Sequence, residues 1–194
     1  DINGLLWVQM GCLDRNNGLS PTESSKIAIV NPKNRDVLNI LKVTPPNPVT
    51  DFKRDAAGNV YVGFAGKMGG EIRDGAIVRF DPSGKFPGEV VIEESALGGD
   101  IVDFEITKTS GVAIVSAPQS RLVAFDLDTK AVRVVEEKTA YTLQQLLYDA
   151  KYGILLLADR DLNPSIRVFN EKLEESPSQR IPLSLPPYHM MFAQ

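Results

Sequence analysis

Short apolar runs, many with polar residues at every second position, recur along the whole chain and are broken by Gly, Pro, Asp and Asn. Period-two alternation sets one face of a segment against a core, and the punctuating residues make tight turns. The runs therefore predict strands joined by short connections. They also repeat as a set, with a period of about 45 residues. One set reads PVTDF (48–52), GNVYVGFA (58–65), GAIVRFDPSGK (75–85) and EVVIEES (89–95). The next reads DIVDF (100–104), GVAIVSA (111–117), SRLVAFDLDTK (120–130) and AVRVVEE (131–137). A third reads TLQQL (142–146), GILLLAD (153–159) and PSIRVFNEKLE (164–174), with a weaker fourth segment through Arg180 to Leu183.

The two ends fit the same pattern. GLLWVQMG (4–11), SKIAIVNPKNRD (25–36) and VLNILKV (37–43) match the second, third and fourth strands of a set, and LPPYHMMFA (185–193) matches a first strand. The expectation is an all-β fold: a β-propeller of four-stranded antiparallel blades, in which the last strand closes the first blade. The blades fall at approximately 1–45 plus 185–194, 46–97, 98–139 and 140–184, in one domain. The phase is equally that of four blades within a larger, six-bladed ring. AYTLQQLLYDAKY (140–152) is the best helical candidate by propensity, but its register with the other sets predicts a first strand and a turn. In RFDPSGK and AFDLDTK, Asp81 and Asp126 are placed to cap the amides of the turn into the fourth strand. Phe80, Phe125 and Phe169 occupy one repeat position and are expected between neighbouring blades.

Composition narrows the class. Of 194 residues, 43% are hydrophobic and 24% charged, ordinary values for a folded domain with its own core. The net charge of −4 argues against a nucleic-acid partner, which calls for a clustered basic face. No apolar run approaches the roughly 20 residues of a membrane-crossing helix. Cys12 is the single cysteine, so it has no internal disulfide partner and is expected to be an inert thiol. There is no signal-peptide pattern and no usable glycosylation sequon; the expected location is extracellular or the secretory pathway, with the cytoplasm as the alternative.

The run VTDFKRDAAGNVYVGFAGKMGGEIRDGAIVRFDPSGK (49–85), continued by VDFEITKTSGVAIVSAPQSRLVAFDLDTK (102–130), resembles a fungal family of six-bladed propellers that includes a Malassezia skin allergen and a trichothecene-cluster protein. Its D-x-x-G-N-x-Y-V and I-x-R-F-D-P-x-G patterns are shared with gluconolactonase and NHL-repeat propellers. The resemblance implies a propeller, a secreted or secondary-metabolism setting and a small-molecule site at the central channel. It carries over no catalytic residue.

Aligning the first strands sets Asp51, Asp103, Gln145 and His189 at one equivalent position, a polar ring near the channel mouth. Oxygen ligands suit a divalent cation, although no motif supports one, and the cofactor is otherwise unknown. A histidine oriented by a carboxylate suits general acid–base chemistry. Polar and solvating side chains suit the same positions. The loops 11–24 and 66–75, the second with four glycines, open on the same face. The leading expectation is binding of a small apolar molecule or lipid at this mouth. The alternatives are a non-redox cyclase or lactonase-type hydrolase using the same ring, and a protein-interaction scaffold. Glu171, Glu174 and Glu175 read as a solvated edge.

Overall fold

The computed structural model describes residues 2–18, 20–69, 73–108 and 110–192. The chain divides into two compact units, residues 1–100 and 101–194. Each contains antiparallel sheets of the kind the repeat predicts.

In the first unit, β1 (Leu6–Met10), β4 (Ser25–Asn31) and β5 (Asp36–Val43) form a sheet in the order β1-β4-β5. A small hairpin of β2 (Leu13–Asp14) and β3 (Ser20–Pro21) stands in the long loop between its first two strands. A second sheet runs β6 (Lys53–Arg54), β7 (Val60–Phe64), β8 (Ala76–Phe80) and β9 (Glu89–Glu93), followed by the short helix α1 (Glu94–Leu97). Alternation selects the core face. Trp7, Ile27, Ile29, Leu41 and Val43 from the first sheet pack with Val60, Val62, Phe64, Val78 and Phe80 from the second. Trp7 meets Phe52 and Phe80 edge-on at centroid distances of 6.0 and 6.3 Å. Gly84 seals this contact. Its φ of 65° suits the turn, and a Cβ there would lie 2.8 Å from Ile29. Its carbonyl accepts a hydrogen bond from the Asn39 side chain at 2.8 Å.

The second unit holds β10 (Asp100–Ile106), which begins at the unit boundary, with β11 (Ser110–Ser116), β12 (Ser120–Asp126) and β13 (Val132–Glu137). Its other sheet is β14 (Leu143–Asp149), β15 (Ile154–Asp159), β16 (Ser165–Asn170) and β17 (Ile181–Pro182), with the single 3-10 turn η1 (Pro177–Gln179) before β17. Val112, Ile114 and Leu122 pack with Leu146, Leu155, Leu157 and Phe169 between the two sheets. The segment 140–152 is thus a strand and turn, as its register predicts. Phe80 and Phe169 lie between sheets, also as predicted. Phe125 is buried directly over Gly111.

The repeat has a local cause in its turns. Asp126 accepts bonds from the amides of Asp128 and Thr129, and Asn170 from those of Lys172 and Glu174. Asp81 caps Ser83, and Asn31 caps Lys33, in the same way. The D-x-x-G-N-x-Y pattern is likewise a turn. Asp55 accepts from the Asn59 amide at 2.9 Å, the Asn59 side chain at 2.8 Å and the Tyr61 hydroxyl at 2.9 Å. Burial, and then this carboxylate, push the Tyr61 phenol up to about 12.

Two expectations are corrected. PVTDF (48–52) is not a continuous strand; only Lys53–Arg54 pairs regularly, after a lone bridge between Pro48 and Phe64. The Thr50 hydroxyl accepts the Gly63 amide at 2.9 Å in place of a main-chain carbonyl, and Pro46 and Pro48 have no amide to donate. A closing strand is also not formed among the described residues. Among the described residues the first sheet has three strands, and residues 183–192 belong to none. Pro186 and Pro187 remove two consecutive ladder donors from that segment. Ala193 and Gln194 lie outside the described residues.

A methyl group at Gly111 would sit 1.9 Å from the Phe125 ring. Gly111→Ala is therefore expected to lower unfolding free energy by about 2 kcal/mol in urea titrations, with partial recovery in Gly111→Ala/Phe125→Leu.

Candidate functional site

The four residues of the expected ring meet different fates. Asp51 is exposed, in the irregular stretch before β6 of the first unit. Asp103, Gln145 and His189 belong to the second unit. Asp103 is 6% exposed within β10, and its Oδ2 accepts the Leu146 amide at 2.8 Å. The cause is topological. β14 is an edge strand of its sheet, so every second amide points away from β15 and needs another acceptor. A carboxylate from the adjoining sheet meets that need.

Gln145 follows a bulge between Leu143 and Gln145 and is 7% exposed. Its Nε2 donates to the Met190 carbonyl at 3.1 Å, while its Oε1 accepts the Met190 amide. One side-chain amide therefore reads both main-chain groups of one residue. His189, next to Met190, is exposed. Arg160 adds to this end of the sheet: its guanidinium lies 5.5 Å from the Tyr188 ring centroid, and its Nη1 donates to Gln144 at 2.8 Å. The structure thus bonds Asp103 to the main chain next to Gln145, and Gln145 to the main chain next to His189. Arg160 and Gln144 belong to the same cluster. Sequence reasoning missed both, although their positions beside a first and a second strand end were the available signal.

A charged cluster in the same unit was also missed. Arg167 is 5% exposed on β16 and pairs with Glu136 at 2.7 Å, Asp159 at 3.3 Å and Glu175. Lys138 reaches Glu136 at 3.4 Å, Asp159 at 3.4 Å and Asp161 at 3.3 Å. Glu175 is therefore not part of a solvated edge. It is held by Arg167, whose hydrogen bond is the main cause of a carboxyl held below its ordinary value of 4.5. Glu171, by contrast, is half exposed, accepting the Tyr148 hydroxyl and pairing with Lys108. With Lys108, Lys151 and Tyr152 it lines an open cleft of about 420 Å³.

In the first unit the loop 66–75 is anchored at both described ends. Asp100 accepts the Gly69 amide at 2.6 Å and pairs with Arg73 at 3.3 Å, and Asp74 accepts the Lys67 amide at 2.9 Å. Its residues 70–72 lie outside the described residues. The Cys12 thiol is pushed up, chiefly by its hydrogen bond with Glu23, which disfavours the nucleophilic thiolate. Among the described residues no three His, Cys, Asp or Glu side chains converge as a metal site. Among the same residues no helix is long and apolar enough to cross a membrane.

Among solved structures, the chain is similar to the periplasmic gluconolactonase of Pseudomonas aeruginosa, with a TM-score of 0.63 and 11% identity over 96% of this chain. It is also similar to a Bacteroides caccae protein of unknown function, with a TM-score of 0.50 and 11% identity over 94% of this chain. This chain spans 58% and 60% of the length of those two. At this identity the likeness concerns the fold: all-β, with the four-stranded antiparallel sheets of a β-propeller. No family model matches, and no curated protein matches. The fungal resemblance therefore rests on the residues of 49–130 alone.

Two outcomes test this geometry. Asp103→Ala is expected to cost about 1–3 kcal/mol by leaving a buried amide short of an acceptor, read by denaturant titration, with Asp103→Asn milder. Because the Glu175 carboxyl is depressed on folding, its stabilisation is present above pH 4.5 and is lost as pH falls through the lower folded value. Melting temperatures measured from pH 6 to 3 are expected to fall less steeply in Glu175→Gln than in the parent.

Proposed function

We propose that this chain is a ligand-binding propeller segment whose site lies around Asp103, Gln145 and His189, at one end of the second unit's first strands. The reading is carried by the Gln145 amide, whose two ends hold the Met190 main chain and would take the adjacent donor and acceptor of a ligand in its place. Such a pair selects for orientation, and the neighbouring Arg160–Tyr188 contact adds a place for a ring or apolar body. A small, largely apolar molecule with an amide or carboxyl edge fits this chemistry.

Hydrolysis of a lactone is the second reading, and its support is the fold likeness to a gluconolactonase. Function resides in sites grafted onto folds, so this support is weak. His189 and Asp103 would then share the acid–base work, but Asp103 already accepts a main-chain amide.

Ligand-observed NMR against a set of N-acyl amides and fatty acids separates the two. Binding that is lost in Gln145→Ala, with no opening of δ-gluconolactone in a pH-stat, is the expected result. Lactone opening that disappears in Asp103→Asn and His189→Ala would replace it with the hydrolase reading.

A further inference from the structure

Within each unit one sheet packs on the next in the same way. In the first, Trp7, Ile27 and Ile29 of the β1-β4-β5 sheet meet Val60, Val62 and Phe80. In the second, Val112, Ile114, Leu122 and Ala124 meet Leu155, Leu157 and Phe169. The capped turns put the sheets in register. Val30, Phe80 and Phe169 each precede the residue that caps its turn, Asn31, Asp81 or Asn170. Cross-strand pairing then makes Leu6–Val30 equivalent to Val60–Phe80 and Leu155–Phe169. One step along, Val8–Ala28 matches Val62–Val78. Leu6 and Val8 therefore lie on the face that the sheets β6-β7-β8-β9 and β14-β15-β16-β17 each bury against the sheet before them.

On β1-β4-β5 that face is open. Val37 and Ile40 pair with Val30 and Ala28 and so share it, and a bulge sets Leu38 beside them. Leu6, Val8, Val37, Leu38 and Ile40 are between 36% and 57% exposed. A contiguous apolar face of this kind marks a docking surface. The two packings above define what fits it: a sheet face with apolar side chains at the positions of Val112, Ile114, Leu122 and Ala124. The chain carries such a face on β14-β15-β16-β17. Leu156–Val168 and Ala158–Ile166 hold those positions, and Ile181 pairs beyond Ile166. Ile181 is 51% exposed, and Leu156 and Ile166 are half-buried. From this match we infer that two copies of the chain associate, the Leu6–Val8–Ile40 face of one seated on the Leu156–Ile166–Ile181 face of the other. The two surfaces differ, so the contact is heterologous and each copy carries one of each.

Sedimentation velocity of the full chain across about 5 to 500 µM tests this. The parent is expected to gain mass beyond the monomer as its concentration rises. Ile40→Glu and Ile181→Glu each set a carboxylate into an apolar contact, and each alone is expected to weaken association by at least about tenfold. Both side chains are about half exposed within one chain, so the variants are expected to melt near the parent temperature. Ile40→Val, which stays apolar, is expected to associate like the parent. The mixture separates this contact from any other. Ile40→Glu keeps the second face intact and Ile181→Glu keeps the first, so the two variants together are expected to regain a dimer that neither forms alone. A parent that stays monomeric, variants that associate like the parent, or a mixture that stays monomeric overturns the inference. Association abolished by Ile40→Glu but untouched by Ile181→Glu would show that like faces pair, and overturns it as well.

Discussion

A strand at the open edge of a meander presents main-chain groups that no neighbouring strand can satisfy, and the rest of this structure depends on how side chains reach them. Asp103 accepts the amide of Leu146 on the edge strand β14. Gln9 on β1 donates to the Thr50 carbonyl at 2.9 Å, and the Thr50 hydroxyl in turn accepts from Gly63. Apolar burial drives the sheets together, but it has no direction and tolerates slippage. These polar bridges are directional and fix one register. Gln145 extends the same device beyond the sheets, gripping the main chain of Met190 with both ends of its amide. The candidate site is thus built from the same interaction that joins the sheets.

The charged cluster around Arg167 answers a related problem. A guanidinium on the core-facing side of β16 is costly to bury alone, and the structure surrounds it with Glu136, Asp159 and Glu175. These carboxylates come from three different parts of the second unit, so the cluster couples the outer strand of one sheet to the middle of the next. Phe169 lies 5.1 Å from the guanidinium carbon, adding a ring face to its surroundings.

Much of the fold was legible because its causes are local. Alternation at period two marks strands whichever sheet they join. An Asp or Asn at the head of a turn, as at Asn31, Asp81, Asp126 and Asn170, caps amides within a few residues of itself. The first strand at 143–149 was readable through its repeat register despite a helical composition. The break after Pro48 was harder to read, because Thr50 substitutes a hydroxyl for a carbonyl only once Gly63 is beside it. The same holds for the equivalence of Asp51 and Asp103: one stands exposed in irregular chain, the other is buried in a strand.

What the sequence by itself determined is most of the strands, their turns and the all-β class, since each follows from neighbours along the chain. Only the tertiary structure decided which polar residues would meet. Gln145 and Met190 are 45 positions apart, as are Asn39 and Gly84, and Asp103 and Leu146 are 43 apart. No local pattern encodes such pairs. They arise because packing the sheets brings particular edges together, and every buried donor and acceptor there must then find a partner.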